Sequence, residues 1–133
     1  MSQMRQIVST PNAPAAIGPY SQAVVIDNLI FCSGQIPLDP ATGAFVGTGD
    51  VRAQTRRVMD NLRAVLEAAG SNLNFAAKAT IFLKNLTDFA AVNEVYAEYF
   101  AGMQPPARAT VEVAGLPRGA LVEIEMIARL ALS

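Results

Sequence analysis

The stretch from Pro106 to Ala128 constrains this chain more than any other, because two runs in it alternate with period two on either side of a Gly/Pro loop. That periodicity belongs to β-strands, whose successive side chains point to opposite faces. In the first run Arg108, Thr110 and Glu112 share one face, and Ala109, Val111 and Val113 the other. In the second, Val122, Ile124, Met126, Ala128 and Leu130 form an apolar face opposite Glu123, Glu125, Ile127 and Arg129. One side of such a sheet is an ordinary core face. The other is expected to gather Arg108, Thr110, Glu123 and Glu125, joined by Lys78 and Phe82 from a further strand. A guanidinium and carboxylates fixed on rigid strands can hold a small carboxylic acid and move protons beside it.

The remaining pattern is orderly. Gln3 to Ser9 reads as a short strand, followed by a Pro/Ala/Gly loop to Pro19. Gln22–Ile26 and Leu29–Ile36 read as strands joined at Asp27-Asn28, a pair that tolerates positive φ in a tight hairpin. A polar, Gly-rich loop covers Pro37 to Gly49. The first helix is expected from an Asp50 cap to Ala69, stopped by Gly70, with Val51, Thr55, Val58, Leu62, Val65, Leu66 and Ala69 inward. Ala76–Lys84 is a strand, and a second helix runs from Phe89 to Ala101 between an Asp88 cap and Gly102. The order is β-β-β-α-β-α-β-β. It predicts an α+β fold: a two-layer sandwich of a six-stranded mixed sheet with both helices on one face. The whole chain, residues 1–133, is expected to be one domain.

With helices on one face, the other sheet face is bare in a monomer. Hydrophobic residues make up 52% of the chain and charged ones 16%, against about 25% charged in an average soluble domain. No apolar run approaches the roughly 20 residues of a membrane helix. The surplus apolar surface is therefore expected in a subunit interface, with charged groups left in clefts between copies. A net charge of −1 without a basic run argues against nucleic acid as a partner. Histidine is absent and Cys32 is the lone cysteine, so His/Cys zinc sets and Ser-His or Cys-His dyads have no members here. The N-terminus lacks a secretory apolar region and reads as a cytoplasmic protein's first strand.

Five segments stand out: Ala15-Ala16-Ile17-Gly18-Pro19-Tyr20-Ser21-Gln22, Ser33-Gly34-Gln35-Ile36-Pro37, Asp88-Phe89 through Val92-Asn93, Pro106-Ala107-Arg108, and Leu116-Pro117 through Val122-Glu123-Ile124-Glu125. Together they resemble the reactive-intermediate deaminases, the RidA/YjgF family (also called endoribonuclease L-PSP). Each alone is weak; their order and spacing make the resemblance specific. It implies a chorismate-mutase-like fold and a homotrimer with sites at subunit interfaces. The implied activity is hydrolysis of 2-imino acids, such as 2-iminobutanoate and 2-iminopropanoate, and their enamines to 2-oxo acids and ammonia. The implied physiological setting is metabolite damage control, without metal or cofactor.

The resemblance also assigns roles. Arg108, with the Gly34 amide, would hold the substrate carboxylate, and Glu123 would position and activate water. Ser33, Tyr20, Asn93 and Thr110 would complete the pocket, Tyr20 and Asn93 coming from the adjacent subunit. The residues themselves are more permissive. Arg108 has the planar fork for a carboxylate, yet would equally neutralise Glu112 or Glu125. Alternation puts Glu125 beside Glu123 and does not choose between them; Glu125 would serve as well in an ion pair with Arg129. Gly34 would serve as a bend alone. Thr110 stands where many members carry cysteine, and keeps a hydroxyl but no thiol chemistry. Cys32 reads as a small buried hydrophobe.

An alternative from another class is a non-catalytic trimer that senses 2-oxo acids or acts as a chaperone. The Arg108 and Glu123 pair favours the enzyme, since a carboxylate sensor needs no water-activating acid. A ribonuclease role, claimed for some relatives, fits poorly with absent histidine and absent basic patch.

Overall fold

The computed structural model describes residues 5–131. Its elements are β1 (Gln6–Val8), β2 (Ala23–Ile26), β3 (Leu29–Gln35), α1 (Val51–Ala68), β4 (Ala76–Leu83), α2 (Phe89–Glu98), β5 (Ala107–Glu112) and β6 (Val122–Arg129). This is the expected order; Gln3 and Met4 of the expected first strand lie outside the described residues. Asp50 caps α1 as its chemistry demands, its Oδ1 accepting from the Ala53 N–H at 3.0 Å. Gly70, at φ +88°, turns the chain out of the helix in a conformation that a Cβ would resist. Asp27 likewise takes φ +54° in the β2–β3 hairpin.

The second helix starts at Phe89 after Asp88 as expected, but differs in its cap and in its end. Asp88 makes no side-chain cap, because a 3₁₀ turn over Leu86–Asp88 feeds directly into the helix. Glu112 Oε1 instead accepts from the Leu86 N–H at 2.7 Å. The helix ends at Glu98, with Tyr99 as its C-cap, rather than at Ala101.

The strands form one sheet in the order β1-β2-β3-β6-β4-β5. Every pairing is antiparallel except β4 with β5. That parallel pair requires a crossover, which α2 supplies. Both helices cover the same sheet face: Val58, Met59, Leu62 and Leu66 of α1 and Val92 and Tyr96 of α2 share a core with Ile30, Ile81, Leu83, Ile124 and Met126. The fold is thus the expected α+β two-layer sandwich. Cys32 is buried in this core, and burial pushes its thiol up to about 12.

Two polar residues on the buried stripe of α1 went unforeseen. Gln54 donates to the Gly47 carbonyl at 3.0 Å and accepts from the Leu121 N–H at 2.8 Å, while Asn61 donates to the Leu38 carbonyl at 3.0 Å. They tie the long loop of residues 36–50 and the start of β6 to the helix, and satisfy backbone groups that burial would otherwise leave unpaired.

The bare sheet face presents Ile26, Leu29 and Phe31 beside Ile127, and Val111 at its far edge; Ile26, Leu29, Phe31 and Val111 are each 40–43% exposed. Its composition differs from expectation in one respect. Parallel pairing sets Arg108 beside Ala79, Thr110 beside Ile81 and Glu112 beside Leu83. Ala79, Ile81 and Leu83 point to the helices, so Arg108, Thr110 and Glu112 do too. Ala109 and Val111, not Arg108 and Thr110, share the bare face with Glu123, Glu125, Phe82 and Lys78.

Candidate active site

Seven residues were singled out from sequence, and the fold sorts them into two groups on opposite sheet faces. The first is built on β5 and α2. Arg108 stands near the start of the edge strand, and its Nη1 donates to Asn93 Oδ1 at 2.6 Å. The guanidinium lies over two rings of α2, 5.5 Å from the Phe89 centroid and 5.2 Å from that of Tyr96. Phe89, Asn93 and Tyr96 follow one another at spacings of four and three, so one stripe of the helix carries them, and Phe100 continues it just past the C-cap. Tyr96 belongs to the core and yet borders the site, and its stripe shared with Phe89 and Asn93 is the sequence signal for that.

This geometry settles how Arg108 is held. The rings offer a negatively polarised platform and Asn93 fixes one edge of the fork, without a carboxylate partner. Among the described residues Arg108 forms no ion pair, so the pairing with Glu112 or Glu125 does not occur. Its charge faces a cleft of about 510 Å³ lined by Asn93, Tyr96, Phe100, Pro105 and Pro106. Two buried hydroxyls in this region, those of Tyr96 and Thr110, have no hydrogen-bond partner among the described residues. Burial drives the Tyr96 hydroxyl up to about 12, against the opposing pull of Arg108, so it stays protonated and able to donate.

The second group is built on β3, β6 and the loop before β2. Between Cys32 and Gln35 the β3–β6 register slips. Ser33 and Gly34 together oppose Glu125, a β-bulge rather than the simple bend expected. The bulge brings the Gly34 backbone against the Glu123 side chain. A Cβ at Gly34 would sit 3.0 Å from Glu123 Cδ and closer still to one carboxylate oxygen. Close approach, not an unusual φ, is what requires glycine here.

Tyr20 reaches the same place through a tightly organised loop. Gly18 takes φ +128° and its carbonyl accepts from the Tyr20 N–H at 2.9 Å. The buried Gln22 side chain accepts from the Thr10 N–H at 2.7 Å and donates to the Pro14 carbonyl at 2.8 Å, pinning both ends of the loop. Ser33 Oγ donates to the Ser21 carbonyl at 2.5 Å, joining loop to bulge. Tyr20, Ser33, Gly34, Glu123 and Glu125 line a cleft of about 550 Å³ together with Ile17, Ile36 and Pro117. Glu123 is half-buried there. Burial first, and the neighbouring Glu125 second, raise its pKa above the ordinary carboxylate value of 4.5.

Arg108 and Glu123 therefore do not meet within one chain. Their strands are separated by β4, and their side chains leave opposite faces of the sheet. The grouping also corrects the expected division between subunits: Tyr20 sits with Ser33, Gly34 and Glu123, whereas Asn93 sits with Arg108 and Thr110. Each half lacks what the other holds. One has a cation and donors for an anion; the other has a proton acceptor and no cation. Among the described residues no three His, Cys, Asp or Glu side chains come together as metal ligands.

Fold and residues thus define a class: a two-layer α+β protein with a free cation in a cleft on one sheet face and a pair of carboxylates in a cleft on the other. The chain belongs to the Endoribonuclease L-PSP family, which matches residues 10–130 and includes the Rid/YjgF proteins. It is 50% identical to the mouse 2-iminobutanoate/2-iminopropanoate deaminase over 127 residues, 96% of this chain and 93% of that protein. A Rid family protein of unknown function from Yersinia pestis superposes with a TM-score of 0.93 at 49% identity, covering 96% of this chain and all of that one. Escherichia coli TdcF, solved with bound serine, gives 0.90 at 41% identity over 95% of this chain and 99% of its own. No helix among the described residues is long and apolar enough to cross a membrane.

Proposed function

We propose that this chain is a deaminase of 2-imino acids of the 2-iminobutanoate and 2-iminopropanoate type, and that its site forms where one copy's Arg108 half meets another's Glu123 half. The observation that carries this reading is the division itself: a cation held without an acid on one face, and an acid held without a cation on the other. Three copies closing in a ring would cover the bare apolar sheet face and complete three sites. The names and contents of relatives agree, one a deaminase of these imines and one holding an α-amino acid.

In such a site Arg108 and the Gly34 amide bind the substrate carboxylate, with Asn93 keeping the guanidinium in place. The carbon of a protonated imine is already electrophilic. Water adds to it as Glu123 takes one of the water protons, giving a carbinolamine. Glu123 returns that proton to nitrogen and then takes the hydroxyl proton as the C–N bond breaks and C=O forms; 2-oxo acid and ammonia leave, and Glu123 gives up its proton to solvent. Tyr20, Ser33 and Thr110 enclose the reacting centre and offer hydroxyls to it.

Mixing variants tests the reading. Arg108→Ala and Glu123→Gln are each expected to be inactive on imines generated by an amino acid oxidase with a semicarbazide trap. Co-refolded in equal amounts, they should recover activity, because about a quarter of interfaces then pair two intact halves. No recovery in well-formed mixed oligomers would show that the halves do not meet between copies. Wild-type protein that fails to speed imine loss would remove the deaminase reading.

A further inference from the structure

Glu125 has no role in the chemistry above, yet it lines the Glu123 cleft. The two residues lie two apart on β6 and leave the same face, which sets their Cβ atoms about 7 Å apart. The β3 bulge opposes Glu125, and the Glu123 carboxylate lies against the Gly34 backbone, in space that a side chain there would fill.

We propose that Glu125 is a positioning residue that acts through Glu123: it places a second negative charge on the wall of the cleft and keeps Glu123 basic enough to take a proton from water. The inventory of facing charges supports this. On β4 the residues paired with Glu123 and Glu125 are Phe82 and Thr80, both neutral; Lys78 pairs one step further along, with Ile127. On β5 the same face offers Ala109 and Val111. From β3 come Ser33 and Gly34, and from the loop before β2 the phenol of Tyr20. Arg118, in the 3₁₀ turn of residues 117–119, donates to the Gly43 carbonyl at 3.3 Å. Arg129 shares the face but lies over the Phe75 ring, at 4.5 Å. Neither glutamate forms an ion pair among the described residues.

By register Glu125 is thus the charged residue next to Glu123 on this face, and neither is held in an ion pair among the described residues. Like charges at this range disfavour loss of the second proton, which agrees with the upward direction for Glu123. In the site as proposed, the substrate carboxylate would offset the Arg108 charge of the other copy and leave the Glu125 charge to act on Glu123.

The catalytic part of this inference rests on the deaminase reading, but the coupling between the two carboxylates does not. The deciding measurement is a ¹³C NMR titration of the Glu123 carboxyl, assigned with Glu123→Gln, in wild type and in Glu125→Gln. The midpoint should fall when Glu125 is neutralised and return toward wild type in Glu125→Asp. An unmoved midpoint overturns the proposal whether or not the protein hydrolyses imines. The kcat/KM profile of Glu125→Gln supplies the second arm: its acid limb should move to lower pH, with a lower plateau above it. A uniform loss at every pH, with the limb in place, would make Glu125 merely structural and overturn its catalytic role.

Discussion

The two half-sites are built by opposite strategies. Around Arg108 the charge is exposed and its surroundings are rigid and apolar: two rings of α2 beneath it and one side-chain amide at its edge. Around Glu123 the charge is half-buried among backbone, with a bulge, a loop and a second carboxylate pressing on it. The first arrangement preserves a permanent cation. The second raises the energy of an anion. In the proposed function these contrary environments serve binding and proton transfer, and opposite faces of one sheet provide both within 133 residues.

The largest break in this comparison is Arg108→Ala. Turnover of imines should fall by about 10³-fold or more, because the substrate loses its anchor, while the oligomer seen by sedimentation persists. Normal rates would remove Arg108 from the site. Glu123→Gln should lower hydrolysis by about 10²–10⁴-fold and leave 2-oxo acid binding intact by calorimetry. Unchanged hydrolysis would end its catalytic role.

That same variant separates stability from activity. The pKa of Glu123 is raised in the fold, so its contribution to stability is full below the ordinary value of 4.5 and is lost as pH rises through the raised one. Glu123→Gln should therefore raise Tm near neutral pH and change it little in acid. A fall in Tm at neutral pH would contradict the strained-anion picture.

Smaller effects sharpen the contrast. Gly34→Ala places a methyl group where the Glu123 carboxylate lies, and should cost about 10²-fold in rate by displacing it. Gln22→Leu unties the loop carrying Tyr20 and should cost about 2 kcal/mol in chemical denaturation. Thr110→Val replaces a buried hydroxyl that has no partner among the described residues, and should gain about 1 kcal/mol in the protein without ligand. A higher KM in that variant would show that the ligand uses the hydroxyl.

Much of this was written in local sequence. Asp50 and Gly70 bound α1 through short-range chemistry, and both are where reading placed them. The β6 alternation put Glu123 and Glu125 on one face, as period two requires. Asp88 misled because its capping chemistry was sound but a 3₁₀ turn already supplied the helix with its first carbonyls. Gln54 and Asn61 were missed because their partners, at Leu121 and Leu38, lie far away in the chain.

The site shows the boundary most clearly. Alternation within Ala107–Glu112 fixed that Arg108 and Thr110 point together, and residue type fixed that Arg108 carries a charge suited to an acid. Which face they point to was not in that segment. Polarity suggested the bare face, with Glu123; the parallel register against Ala79 and Ile81 turned them toward α2. Period two determines parity along one strand, whereas parity between strands depends on long-range pairing. The sequence by itself therefore determined the chemical groups and their local spacing. Only the tertiary structure decided that they form two separate halves.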